Sequence, residues 1–200
     1  MKSFRQFFTE AVEGKTAVFS YGRYNPPTTG HQLLINKLAA IANEKQADAF
    51  LIPTHTLDKK KNPLNINEKI NILQQMAPGI KILETGKTLI EALKDLQAKG
   101  YTSIIQVAGS DRIPEFTHIR DAYNNKPNKA GEIPFSFKTY DIASSGDRDP
   151  DSDGVEGMSA SKLRELALAG NIEEFKQGMS PTVDSNTKTA TYNTIRERLS

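Results

Sequence analysis

Runs of β-branched and aromatic residues alternate with runs of helical period along most of this chain, and that alternation leaves few architectures open. Thr16 to Tyr21 (TAVFSY) reads as a buried strand ending at Gly22. From Gly30, the apolar positions Leu34, Leu38 and Ile41 recur at a 3.6-residue period, which predicts a helix of about three to four turns. The pattern then repeats: strand Ala49 to Pro53, helix around Glu68 to Met76, strand Ile80 to Leu83, helix Leu89 to Ala98 before Gly100, strand Thr102 to Val107 before Gly109. Such alternation implies right-handed βαβ crossovers and a mostly parallel α/β sheet covered on both faces. A further run, Pro134 to Ile142, predicts a fifth strand, and Ser161 to Ala169 and Ile172 to Gln177 predict two short helices.

Two hundred residues with 37% hydrophobic content suit one domain at the usual ~100 to 200 residues per domain. A net charge of +2 (26 Lys and Arg against 24 Asp and Glu) provides no field that would make nucleic acid or a membrane the default partner. Any charge-based function is therefore local. The absence of cysteine excludes disulfides, thiolate metal sites and a cysteine nucleophile. Apolar stretches fall short of the ~18 residues that span a bilayer, and no secretory leader opens the chain, so a soluble, cytoplasmic protein is expected.

Three stretches read as loops: the basic Asp58 to Asn65, the Pro/Gly/Asn-rich Asn124 to Ile133, and the acidic Ser144 to Gly157. Asp149, Asp151, Asp153 and Gly154 match the first half of a calcium loop, but Ala160 stands where a bidentate Glu is required, so no metal site is assigned. Beyond Ser180 the chain is rich in Ser and Thr, and only Tyr192 to Leu199 carries a helical pattern, so mobility is expected there.

The chemistry concentrates where the first strand turns into the first helix, at Gly22-Arg23-Tyr24-Asn25-Pro26-Pro27-Thr28-Thr29-Gly30-His31. Two prolines stiffen the turn, Gly30 allows close backbone approach, and His31 falls on the first helical turn. A helix N-terminus at the carboxyl end of a strand attracts anions, and His31 and Arg23 add donors suited to phosphate oxygens. A second segment, Met158-Ser159-Ala160-Ser161-Lys162-Leu163-Arg164, combines capping hydroxyls with an Arg one turn later on the same face, a grip for phosphate. A third is Val107-Ala108-Gly109-Ser110-Asp111-Arg112 at the end of the fourth strand, where Asp111 serves equally well as a helix N-cap. Each segment taken alone has a plainer reading, as a Pro-rich loop or a capped helix.

Together they resemble a known family. TTGH resembles the T/HxGH motif of the nucleotidylyltransferase superfamily, with Thr28 at its first position, and GRYNPP resembles the opening of nicotinamide mononucleotide adenylyltransferases, phage-type members included. MSASKLR resembles the family's ISSTxxR signature, and Gly109 with Asp111 its GxD segment. Lys59-Lys60-Lys61-Asn62-Pro63-Leu64 with Glu68 and Lys69 resembles a basic segment that helps bind the triphosphate. The resemblance covers about residues 16 to 178 and implies a Rossmann-like, doubly wound sheet of order 3-2-1-4-5. It implies nucleotidyl transfer from ATP to a phosphate-bearing small-molecule acceptor, nicotinamide mononucleotide first, with Mg²⁺ bound alongside the nucleotide. His31, Arg164 and Thr28 would then be catalytic, and Gly22, Arg23, Tyr24, Gly30, Lys60, Gly109, Asp111, Ser159 and Ser161 would bind nucleotide or phosphate. Cytidylyl transfer to a small phosphorylated alcohol and adenylyl transfer to phosphopantetheine stay open, and family members commonly form homo-oligomers.

Residues 1 to 14 place Phe4, Phe7, Phe8 and Ala11 at helical spacing, an amphipathic extension ahead of the domain at 15 to 200. This segment resembles the capsid-targeting leaders of internal head proteins in T-even-like phages, with Glu10 and Glu13 as cut sites. That resemblance implies a non-catalytic nucleotide-binding head protein, bound in the virion instead of the host cytoplasm. Packing of the three phenylalanines on the domain or on a second subunit is the plainer alternative.

Overall fold

Ala17, Val18, Phe19 and Ser20 are four consecutive buried residues, as expected of a strand covered on both faces. They form the centre of β1 (Lys15–Gly22). In the computed structural model, which describes residues 14–146 and 158–200, β1 pairs in parallel with β2 (Asp48–Pro53) on one side and β4 (Tyr101–Ala108) on the other. The two-residue β3 (Lys81–Ile82) and β5 (Thr139–Ser144) complete a five-stranded sheet of order β3-β2-β1-β4-β5. The expected α/β topology and strand order are those observed. The leader-like segment with Glu10 and Glu13, and Asp147 to Gly157 of the acidic loop, lie outside the described residues.

The order reverses between β1 and β4, and the helices divide accordingly. On one face α1 (Thr29–Lys45), α2 (Ile66–Met76), α5 (Ala160–Ala169), α6 (Ile172–Gly178) and α7 (Ser185–Leu199) bury Val18, Leu38, Leu51, Val107, Leu163 and Ile195 in a single cluster. On the other, α3 (Leu89–Ala98) and α4 (Ile113–Tyr123) cover Phe19, Ile52, Ile104 and Tyr140. Consecutive β1 residues therefore feed opposite cores, which fixes the register of the central strand.

Helix starts follow local chemistry. Asn65 and Glu68 form a reciprocal capping box on α2, and Thr88 and Glu91 do the same on α3. Ser159 caps α5 and Asp184 caps α7 through their side chains. Lys69, fully buried in α2, donates through Nζ to the Thr54 carbonyl at 2.5 Å and ties that helix to the carboxyl end of β2. Burial pushes its pKa down to about 8.

Three sequence expectations change. The fifth strand begins at Thr139, not Pro134: Phe135 and Phe137 are buried as expected, but their backbone groups bond to the side chains of Asn124 and Asn125 and to the Asn125 backbone instead of a sheet ladder. Helix α4 carries no strong apolar period, since Phe116 is its one residue classed as buried, and the sequence reading passed over it. The Ser/Thr-rich tail is a docked helix. Thr189 and Thr191 return their hydroxyls to the carbonyls of Ser185 and Thr187, which satisfies them within α7, and Tyr192 packs edge-on against Phe175 at 5.4 Å. Ile195 is 0% exposed. Ile195→Ala should cost about 2 to 5 kcal/mol in urea unfolding; a midpoint unchanged from wild type would show that α7 does not contribute to the core. Among the described residues no helix is long and apolar enough to cross a membrane.

Candidate active site

The carboxyl ends of β1 and β4 diverge where the strand order reverses, and a cleft of about 320 Å³ opens there. One wall carries Arg23, His31, Lys61 and Arg164 with the hydroxyl residues Ser159 and Ser161; the other carries Tyr21, Gly109, Asp111, Arg112 and Phe116. Gly22, Tyr24 and Asn25 also line the cleft. Residues 133 positions apart along the chain, His31 and Arg164, thus line one cavity.

His31 is held by the start of its own helix. Thr28 is the N-cap of α1, and its backbone N–H donates to His31 Nδ1 at 3.1 Å, with the Thr28 hydroxyl 2.9 Å from the same nitrogen. TTGH is therefore a capping box with histidine in the place usually taken by Glu or Gln. A ring nitrogen that accepts a backbone N–H carries no proton, so the neutral imidazole bears its proton on Nε2. Thr28 itself is 1% exposed and lies behind the cleft, in contact with His31 and outside the lining. Gly30 is buried in the first turn of α1 and likewise does not line the cleft.

Tyr24 adopts φ +46°, a left-handed conformation uncommon for a non-glycine residue, and its ring lies 5.0 Å from the His31 ring. Gly22 makes room for it: a Cβ at residue 22 would sit 3.2 Å from Tyr24 Cε2 and 3.3 Å from Cζ. Gly22→Ala therefore makes the tyrosine ring, which packs on His31, give way by a few tenths of an ångström. We expect kcat/KM to fall about tenfold, because small misplacements of reacting groups are costly, with little loss of melting temperature; unchanged kinetics would show that the Tyr24 ring does not set the His31 position.

Arg164 is fixed at both prongs. Nη1 donates to the Asn25 carbonyl at 2.8 Å and Nη2 to Ser161 Oγ at 2.9 Å. Burial, and then the nearby charge of Arg23, lower its pKa, yet a guanidinium stays protonated at neutral pH. Among the described residues no ion pair involves Arg23, Lys61 or Arg164, so their field is directed at whatever enters the cleft. Arg112 differs: it is forked to Glu115 at 2.9 Å through two nitrogens and lies over the Phe116 ring at 4.6 Å.

The lysine loop reaches the cleft through Lys61, and Lys60 stands outside the lining. Asp58 bends this loop by accepting the backbone N–H of Lys61 (2.7 Å), the Asn62 side-chain N–H, and the backbone N–H groups of Lys60 (2.8 Å) and Asn62 (3.3 Å), bonds that hold its carboxyl far below the usual carboxylate range. Asp111 lies within the short 3₁₀ turn Ser110–Arg112 on the cleft wall, and the N-cap of α4 is Arg112, so Asp111 does not cap that helix. Among the described residues no group of three or more His, Cys, Asp or Glu could hold a metal ion.

Sequence reasoning missed Asn25. Its buried side chain donates to the Leu64 carbonyl at 3.0 Å and accepts the Leu64 N–H at 2.9 Å, joining the β1–α1 turn to the lysine loop. An asparagine inside a Pro-rich turn gives no hint of a partner 39 residues away.

Residues 19–166 match the family described as cytidylyltransferase-like. No curated protein matches the chain by sequence. Among solved structures, the Plasmodium falciparum nicotinic acid mononucleotide adenylyltransferase complexed with NaAD is similar at TM-score 0.54 and 16% identity, over 90% of this chain and 98% of that one. Thermotoga maritima TmcAL bound with alpha-thio ATP is similar at TM-score 0.53 and 12% identity; 92% of this chain matches it, and the match spans 56% of TmcAL. At these identities the likeness is one of fold.

Proposed function

This chain belongs to the cytidylyltransferase-like family, within the T/HxGH nucleotidylyltransferase superfamily, and on that premise we propose that it transfers AMP from ATP to nicotinamide mononucleotide, giving NAD and pyrophosphate. The observation that carries this reading is the cationic wall, in which His31 and Arg164 meet Arg23 and Lys61 in one cleft at the switch point of the sheet. A polyphosphate is the ligand such a wall suits, and the hydroxyls of Ser159 and Ser161 add donors for its oxygens.

In the reaction proposed, an oxygen of the acceptor phosphate attacks the α-phosphorus of ATP. The bond from that phosphorus to the bridging oxygen breaks in line, and pyrophosphate leaves with the electron pair. The acceptor phosphate is already a competent nucleophile, so no covalent enzyme intermediate and no general base are needed. The protein's contribution is orientation and charge neutralisation. His31 Nε2–H donates to an α-phosphate oxygen, Arg164 and Lys61 hold the departing β and γ groups, and Arg23 adds a further charge for the phosphates. Gly22 and Gly109 admit the nucleotide close to backbone, and Asp111 accepts from a ribose hydroxyl. Thr28 and Gly30 act through the position of His31. Among the described residues Asp111 is the one carboxylate lining the cleft, and Mg²⁺ would enter as part of the nucleotide complex and supply charge neutralisation at the phosphates.

The family's name keeps cytidylyl transfer as the second reading. Incubation with ATP or CTP, Mg²⁺ and a panel of phosphorylated acceptors, with products read by mass spectrometry, separates the two. NAD from ATP and nicotinamide mononucleotide is the expected product; a CDP-alcohol without NAD would replace the first reading with the second. Nucleotide binding without pyrophosphate release in any combination would leave a binding module on an enzyme's scaffold.

A further inference from the structure

Asn25 occupies a singular place among the groups around the cleft, because one residue reaches three of its parts. Its carbonyl receives Arg164 Nη1 at 2.8 Å. Its side chain bonds both backbone groups of Leu64, with Nδ2 to the carbonyl at 3.0 Å and Oδ1 from the N–H at 2.9 Å. It stands two residues after Arg23, and Leu64 stands three after Lys61. At 1% exposure the side chain works in a protected environment, where a paired amide bridge is geometrically exacting.

The loop it holds is also anchored from behind. Arg198 of α7 forks Glu68 at 2.7 and 2.8 Å and donates to the Pro63 carbonyl at 2.7 Å. Pro63 and Leu64 are thus gripped on both sides, while Lys59 to Lys61 project as an exposed turn shaped by Asp58. Without the Asn25 bridge the stem would keep its attachment to α2 and α7 but lose the one to the β1–α1 turn.

We propose that Asn25 is a positioning residue that holds Lys61 in register with Arg23 and Arg164, so that the three cations present one spaced array to a nucleoside triphosphate. This rests on the nucleotide-binding reading above and adds to it the device that sets the spacing. Asn25 lines the cleft, but its carbonyl is taken up by Arg164 and its side-chain amide by Leu64, so its assigned role is positioning. Its effect passes through Lys61, and coupling between the two is the signature to seek.

The test is a double-mutant cycle on the full chain, with MgATP and MgCTP affinity measured by calorimetry and with turnover measured in parallel. Asn25→Ala should weaken binding of the triphosphate about tenfold and lower kcat/KM by at least that factor, because the misplaced lysine is also the one assigned to the departing phosphates. Lys61→Ala should weaken binding in the wild-type background and add almost nothing in the Asn25→Ala background, because the lysine is already out of place. Additive losses would overturn the proposal, as would Asn25→Ala binding like wild type. If Asn25→Ala does not fold, hydrogen exchange on the wild-type protein decides: the Leu64 amide should exchange slowly with and without MgATP, and the Lys60 to Asn62 amides should slow on adding it. Rapid exchange at Leu64, or a lysine turn indifferent to MgATP, overturns the proposal. A wild-type protein that binds neither MgATP nor MgCTP would instead overturn the nucleotide reading itself and this inference with it.

Discussion

Replacing His31 with alanine should slow turnover at least about 100-fold at saturating nucleotide, the typical cost of removing one preorganised donor from a developing charge. The side chain has two roles, and they can be separated. Nδ1 accepts the Thr28 N–H and so caps α1, while the proton on Nε2 is the donor that the proposed reaction would use on phosphate. His31→Ala removes both and should also lower the melting temperature by a few degrees, since a lost cap costs about 1 kcal/mol. His31→Gln isolates the chemistry, because glutamine at this position of a capping box can reach back to the Thr28 N–H as histidine does. Its stability should return to near wild type while its turnover stays low. Wild-type turnover in His31→Ala would remove the histidine from the reaction.

Arg164→Ala should reduce kcat/KM by a factor on the order of 100, and Arg164→Lys should recover little of it. The guanidinium bonds the Asn25 carbonyl and Ser161 Oγ with two nitrogens, and in the proposed reaction its remaining N–H groups would serve the anion. A lysine ammonium supplies the charge but not that planar fork. The deficit should be constant across pH 6 to 9, because the arginine stays protonated throughout even though burial and Arg23 lower its pKa. A lysine variant with full activity would show that only charge matters at residue 164. Loss of activity together with loss of folded structure, read by circular dichroism, would assign Arg164 to stability.

The sheet and most of the cleft were legible because their signals are local. Strands buried on both faces appear as unbroken apolar runs, and helices α1 and α3 as clear periods, so the parallel α/β class followed from alternation, while the strand order came with the family resemblance. Helix α4 was missed because it rests one buried residue, Phe116, on the sheet and so carries little pattern. Helix α7 was read as half its length because threonine-rich sequence resembles a loop until its hydroxyls are seen bonded to carbonyls one turn back. At the site, motif residues such as His31, Ser159 and Arg164 were found by resemblance and by their place at element ends. The choice between Lys60 and Lys61 was not legible, since three adjacent lysines differ only in which way the Asp58 turn points them. Asn25 was invisible for another reason: its partners are backbone atoms of Leu64, and backbone leaves no trace in sequence.

The cleft draws its cations from both ends of the amino-acid order, Arg23 and His31 early, Arg164 more than 130 residues later. On a ribosome, the first half-site emerges long before its counterpart, so a nascent chain carries an incomplete grip until α5 has been made. A ligand that stabilises only the assembled cleft shifts the folding balance of completed chains by mass action and does nothing for truncated ones. On the proposed function, nucleotide would then stabilise only chains that contain both half-sites of the cleft, and shorter fragments would gain nothing from it.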